Sequence, residues 1–234
     1  MEFSINTSYP CHVTNYAVCT SRDIKYIVIH YVGAEGSALE NAKYFMNHKN
    51  LQASAHYFVG NANENGAIYQ SVNDVNRAFH CGTSGIYTHK YCRNNNSIGI
   101  EMTCHKDKNG KWYFDEVTIN SAIKLTRQLM KKYNVGVDNV IRHHDVWQKN
   151  CPAPFVEDEN AWIKFKDRLI KEVVDGMIES WQKKLGTEAI KYLSDGKGID
   201  LIDSPTDWES KLGDTVPNWL MFVMLQRLIE KIDK

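Results

Sequence analysis

The sequence predicts an α/β fold, with a mixed central sheet flanked by helices, followed by a small all-α unit. Three observations predict it. Residues 25–30 (KYIVIH) and 97–102 (SIGIEM) are short continuous apolar runs of the kind carried by strands buried on both faces. Amphipathic segments with helical spacing fall between and after them, over residues 37–48 and 116–133. From Met177 onward only helical periodicity remains.

The first helix opens at Ser37, an N-cap with Glu40 three residues on, and carries Leu39, Ala42, Phe45 and Met46 at helical spacing. Residues 55–60 and 67–72 flank Asn65-Gly66, a dipeptide suited to positive φ, and read as a hairpin. Asn109-Gly110, between Met102 and Trp112, repeats that signal. Residues 116–133 are amphipathic through Ile119, Ile123, Leu125, Leu129 and Met130. Residues 139–141 begin a last short strand that leads into a loop, and residues from about 160 to 170 are helical again. Beyond Met177, residues 178–193 and 216–232 read as two helices separated by Gly196, Gly198 and Pro205. The expected domains are 1–172 and 173–234.

Charge narrows the function. The 234 residues hold 28 Lys+Arg and 28 Asp+Glu, a formal charge of zero, which argues against a nucleic-acid partner because basic surface supplies most of that affinity. With 43% hydrophobic and 24% charged residues, disorder, collagen and coiled coil are excluded. All nine His and six Cys lie between Cys11 and Cys151, whereas residues 173–234 have neither and carry a net charge of −3. The apolar stretch from residue 219 to 229 is too short to span a bilayer. The N-terminus lacks the pattern of a secretory signal peptide, so the expectation is a chain made in the cytoplasm, its cysteines free thiols. The cysteines other than Cys151 show no CxxC spacing, so a zinc knuckle is not expected among them. Cys81 is expected to be buried, and Cys92, in the polar run RNNNS, is a candidate surface thiol.

His30 ends an apolar strand, His143 and His144 follow another, and Cys151 comes eight residues after His143. Two imidazoles and a thiolate would leave one zinc position open, the arrangement of a catalytic site. Taken singly, His30 reads equally as a satisfied core histidine and Cys151 as a small buried hydrophobe.

The segments YIVIH, SAHYFVG, AFHCG, SIGIE and RHHDVWQKNCPAPF occur in this order. Together they resemble the zinc-dependent N-acetylmuramoyl-L-alanine amidases related to phage lysozyme amidases and peptidoglycan-recognition proteins, in the branch of phage endolysins and bacterial autolysins. The resemblance covers roughly seven-tenths of the chain. It implies hydrolysis of the amide between N-acetylmuramic acid and L-alanine in peptidoglycan, with Zn2+ held by His30, His143 and Cys151. His144 is the rival to His143 and is read as its neighbour, because the family's ligand directly follows the arginine. Glu101 matches the glutamate that acts on the attacking water, and Lys149 the residue that stabilises the oxyanion. A tyrosine that other members carry before the SAHYF histidine is Ala55 here, which strengthens Glu101. His56 and His80 are implied to lie near the cleft, either contacting substrate or making structural hydrogen bonds beneath the cleft. Asp145 either orients His143 or serves as a loop or cap residue.

In proteins of this resemblance a region after the catalytic domain often binds cell wall. Trp181, Trp208 and Trp219 are candidates for stacking on sugar rings, with core packing the alternative for Trp181 and Trp219, and association of two chains through the helices is open. A non-catalytic peptidoglycan-binding protein is the competing reading; such members typically lose the cysteine ligand, and Cys151 is present. Without a signal peptide, the enzyme would act on the wall after release by lysis.

Overall fold

The structure, a computed structural model, describes residues 4–82 and 87–177, with 171–177 as backbone only. The two helices and three tryptophans read from residues 178–234 lie outside the described residues. The chain separates into two compact units, Met1–Leu169 and Ile170–Lys234. In chain order the elements are β1 (Ile5–Asn6), β2 (Tyr16–Ala17), β3 (Tyr26–Tyr31), α1 (Ala38–Asn47), β4 (Tyr57–Val59), β5 (Ile68–Gln70), β6 (Arg77–Ala78), β7 (Ser97–Met102), β8 (His105–Lys106), β9 (Trp112–Tyr113), α2 (Glu116–Tyr133), β10 (Val140–Arg142), α3 (His143–Trp147), α4 (Ala153–Val156) and α5 (Glu159–Met177).

Six strands form the central sheet in the order β1-β5-β4-β7-β3-β10. β4, β7, β3 and β10 run parallel, and β5 is antiparallel to β4, which makes the sheet mixed as expected. In a strand, alternate residues face opposite sides. Ile27 and Ile29 of β3 and Ile98, Ile100 and Met102 of β7 enter one core with Leu125 and Leu129 of α2 and Trp162, Phe165 and Leu169 of α5. The intervening residues, Tyr26, Val28 and His30 on β3 and Ser97, Gly99 and Glu101 on β7, point to the other face. There Val28 packs with Cys81, Cys92 and Val146, while Phe58 meets Ala38 and Ala42 of α1.

Local chemistry explains the element ends. The Ser37 hydroxyl accepts from the Glu40 N–H, and the Glu40 carboxylate accepts from the Ser37 N–H at 2.8 Å, so α1 opens on a complete capping box. α2 ends at Asn134, left-handed at φ 53°, after Lys131 and Lys132 in its last turn. The β4–β5 hairpin turns through Asn65 and Gly66, both at positive φ. Gly66 also lies against Ser121 and the Val117 carbonyl, leaving no room for a side chain.

The structure departs from expectation in three places. β10 leads into helix α3 rather than a loop, because the Asp145 carboxylate accepts from the Arg142 N–H at 2.8 Å and caps a single turn. The second hairpin pairs β8 with β9, so its first strand begins at His105, past Met102. Cys92 is fully buried against Cys81 and Val28, not at the surface, because the polar run beside it is itself partly internal: Asn94 and Ser97 are buried and hydrogen-bonded within the chain, while Asn95 is exposed. All six cysteines are free.

Candidate metal centre and cleft

Parallel strands end together, and three adjacent ones place their C-terminal ends at one edge of the sheet. The register sets His30 opposite Glu101, and β10, on the other side of β3, delivers His143 as the first residue of α3. Their neighbours along the sequence explain why they reach the same face: His30 follows Val28, and Glu101 follows Ser97 and Gly99, at two-residue spacing.

Cys151 comes from the turn between α3 and α4. The His144 N–H donates to the Cys151 carbonyl and the Cys151 N–H to the Lys149 carbonyl, each at 2.7 Å, which folds the turn back over the strand ends. Arg142 anchors it from behind. Its guanidinium pairs with Asp145 at 2.9 Å, donates to the Phe155 carbonyl at 2.9 Å, and meets Glu159 at 2.5 Å. Asp145 is therefore a helix cap and an arginine partner, the second of the two readings open for it.

The result is a cluster of His30, His143 and Cys151, all buried, whose ligand atoms lie within 4.8 Å of one another. His30 Nδ1 is 3.8 Å from Cys151 Sγ and 3.9 Å from Glu101 Oε1, and the rings of His30 and His143 are 4.6 Å apart. His143 Nε2 and Glu101 Oε2 are buried without a hydrogen-bond partner. A buried polar atom without a partner is costly unless something else satisfies it, so this cluster can hold a metal ion. The rival, His144, turns its Nδ1 to the Lys149 carbonyl at 3.0 Å, away from the cluster.

Burial dominates the electrostatics. It drives His30 well below the ordinary histidine range, with His143 and His80 adding to the effect, and lowers His143 to about 4, so both rings are held in the neutral form that ligates metals. Burial also pushes the Cys151 thiol up and raises the Glu101 carboxyl to about 8, opposed there by the positive charge of Lys149. A cation among these groups would reverse the last two shifts.

The cluster forms the floor of a cleft of about 480 Å³ whose lining includes Glu101 and Lys149. Its opposite wall was not visible as a site in the sequence. Asn41, Tyr44 and Phe45 of α1, with Ser54, Phe58 and Phe79, complete it. Only the helical face of α1 hinted at them, and that face reads equally as core.

A model of the N-acetylmuramoyl-L-alanine amidase family, Amidase_2, matches residues 20–154, more than half of the chain. The chain belongs to this family. The matched span holds His30, Glu101, His143, Lys149 and Cys151. Among relatives of this amidase-family chain, the N-acetylmuramoyl-L-alanine amidase BlyA of Bacillus subtilis (strain 168) is 30% identical over 155 residues, 62% of this chain and 41% of its own. CwlL of Bacillus licheniformis, of the same name, is 31% identical over 157 residues, again 62% and 41%. The alignments thus span less than half the length of these curated relatives. In fold the chain is similar to the catalytic domain of XlyA, with a TM-score of 0.55 and 24% identity over 71% of this chain and 99% of that one. It is likewise similar to PlyL, with a TM-score of 0.53 and 23% identity over 72% and 97%.

Two histidines expected near the cleft of this amidase fold part company. His56 does not reach it. The ring is fully buried, accepts from the Gly99 N–H at 2.9 Å through Nδ1, and lies 2.9 Å from Arg22 Nη1 and 3.2 Å from the Asn76 carbonyl. It braces β4 against β7 from beneath and is not among the residues that line the cleft. His80 reaches the edge of the cleft but is only 7% exposed, with both ring nitrogens engaged by His30 and Ser97.

Proposed function

We propose that the chain is a zinc-dependent N-acetylmuramoyl-L-alanine amidase that hydrolyses the amide between N-acetylmuramic acid and L-alanine in peptidoglycan. The observation that carries this reading is the buried His30, His143 and Cys151 cluster with Glu101 3.9 Å from His30 on the floor of an open cleft.

The residues fit zinc. Two nitrogens and one sulfur are its preferred donors, and the 3.8 Å between His30 Nδ1 and Cys151 Sγ is close to the ~3.5 Å that tetrahedral bonds of about 2.0 and 2.3 Å imply. The unpartnered His143 Nε2 supplies the third donor. Zinc held there supplies a Lewis acid for the scissile carbonyl and a charge that favours the Cys151 thiolate and the Glu101 carboxylate.

The remaining chemistry belongs to the chain. Glu101 takes a proton from the water that attacks the carbonyl and returns it to the amide nitrogen as the C–N bond breaks, freeing the L-alanine amine. The Lys149 ammonium, on the cleft wall, faces the carbonyl oxygen as negative charge develops on it. The half-exposed ring of Tyr44 and the apolar Phe45 and Phe79 line the path by which a glycan-linked peptide enters. The site of action would be the cell wall.

Digestion of purified peptidoglycan tests the reading. New L-alanine amino termini without new reducing sugar ends are expected, and none with Cys151→Ala. New reducing ends, or undiminished activity of Cys151→Ala, would refute it.

A further inference from the structure

We propose that His80, backed by Ser97, is a positioning residue that fixes the tautomer of His30, so that Nδ1 of His30 offers its lone pair to the metal. The inference rests on the metal reading above and adds the groups that orient the first ligand.

The direction of the hydrogen bonds follows from their far end. The Arg93 carbonyl can only accept, so the Ser97 hydroxyl, 2.7 Å away, donates to it. The lone pairs of that hydroxyl remain for His80 Nε2 at 3.1 Å, which therefore carries the hydrogen. A neutral ring with its hydrogen on Nε2 has a bare Nδ1. His80 Nδ1 lies 3.1 Å from His30 Nε2, so the hydrogen between them belongs to His30. His30 Nδ1 is left bare, facing Cys151 Sγ at 3.8 Å and Glu101 at 3.9 Å. The sulfur of Cys81, 3.3 Å from His80 Nδ1 and 3.5 Å from Ser97 Oγ, is a weak partner to both and leaves the direction set by the carbonyl.

Packing holds the relay in place. The His80 ring lies on Gly99, where a Cβ would come within 2.6 Å of its Cγ, and the rings of His80 and His30 meet edge to face at 5.2 Å. The strand segment SIGIE therefore supplies three things on one face at two-residue spacing: a hydroxyl at Ser97, room for a ring at Gly99 and a carboxyl at Glu101. With both nitrogens engaged, His80 has none left for substrate.

The test reads the tautomer separately from the metal. In metal-free protein with ¹⁵N-labelled histidine, two-bond proton–nitrogen correlations are expected to find His30 with its hydrogen on Nε2. Ser97→Ala and His80→Ala should convert it to a mixture of tautomers. In a competition titration of zinc against a chelating dye, His80→Ala should weaken binding about 10–100-fold, as loss of a group orienting a ligand does. Ser97→Ala should weaken it less. His80→Asn, whose Oδ1 stands where Nδ1 stood and accepts the same N–H, should restore most of the affinity. Thermal melts of the three variants, recorded alongside the titrations, separate loss of orientation from loss of folding. A wild-type His30 with its hydrogen on Nδ1 would overturn the proposal, as would unchanged zinc affinity in all three variants. A wild type that binds no zinc, yet carries the Nε2 hydrogen on His30, would instead overturn the metal reading and support the tautomer assignment.

Discussion

At the residue scale, the site is set by what burial does to each polar group. Glu101 is a carboxyl whose Oε2 has no partner and whose burial favours the proton. If it is the acid–base group, Glu101→Gln should lower the rate of L-alanine release by about 10²–10⁴-fold. Zinc content, measured on the purified protein, should stay at one per chain; a parallel loss of metal would make Glu101 part of the metal site instead. Thiol chemistry tests burial directly. Burial raises Cys11 and Cys104 to about 11 and leaves Cys92 fully enclosed, while Cys19 is half-exposed. Iodoacetamide at neutral pH should therefore modify Cys19 first, and mass spectrometry that found Cys92 ahead of it would contradict the packing. The sequence could not place Cys92, because its polar neighbours said only that the segment was near the surface.

At the element scale, short-range chemistry was legible and short elements were not. The extent of α2 follows from its period, and the start of α1 from Ser37 and Glu40, since both depend on residues within a few positions of each other. β1, β2 and β6 have two residues each and exist only through partners 50 or more positions away, so no local pattern announces them. α3 is one turn whose definition lies in Arg142 and Asp145. Ser37→Ala should cost about 1 kcal/mol in urea unfolding through loss of the cap, with activity little changed. Arg142 joins α3, α4 and the first turn of α5 with a side chain only 11% exposed. Arg142→Ala should cost about 1.5–3 kcal/mol, the range for hydrogen bonds to a charged group. It should also weaken zinc binding, since His143 is the first residue of α3. Stability lost with zinc affinity intact would show that α3 is held by other means.

At the scale of the whole molecule, a metal held by this cluster would be linked to the fold. The three donors come from β3, α3 and the turn at Cys151, brought together only in the folded chain, so zinc held there would bind the native state in preference. Free zinc at a hundredfold excess over its dissociation constant should add about 2.7 kcal/mol. That corresponds to a rise of roughly 5–10 °C in the melting midpoint, reversed by a chelator. A midpoint insensitive to chelation would contradict a site built from these elements. Among the described residues no helix is long and apolar enough to cross a membrane.

By itself the sequence determined the α/β class, the strands that carry His30 and Glu101, and the segment that carries His143, Lys149 and Cys151. Those depend on alternation, helical period and residue type, which are local. Only the tertiary structure decided that His143 and not His144 faces the cluster, that His56 is a brace beneath the sheet, that His80 is bound to His30, and that α1 walls the cleft. Each of these depends on which strands are neighbours and in what register, and that is settled by contacts between residues tens of positions apart.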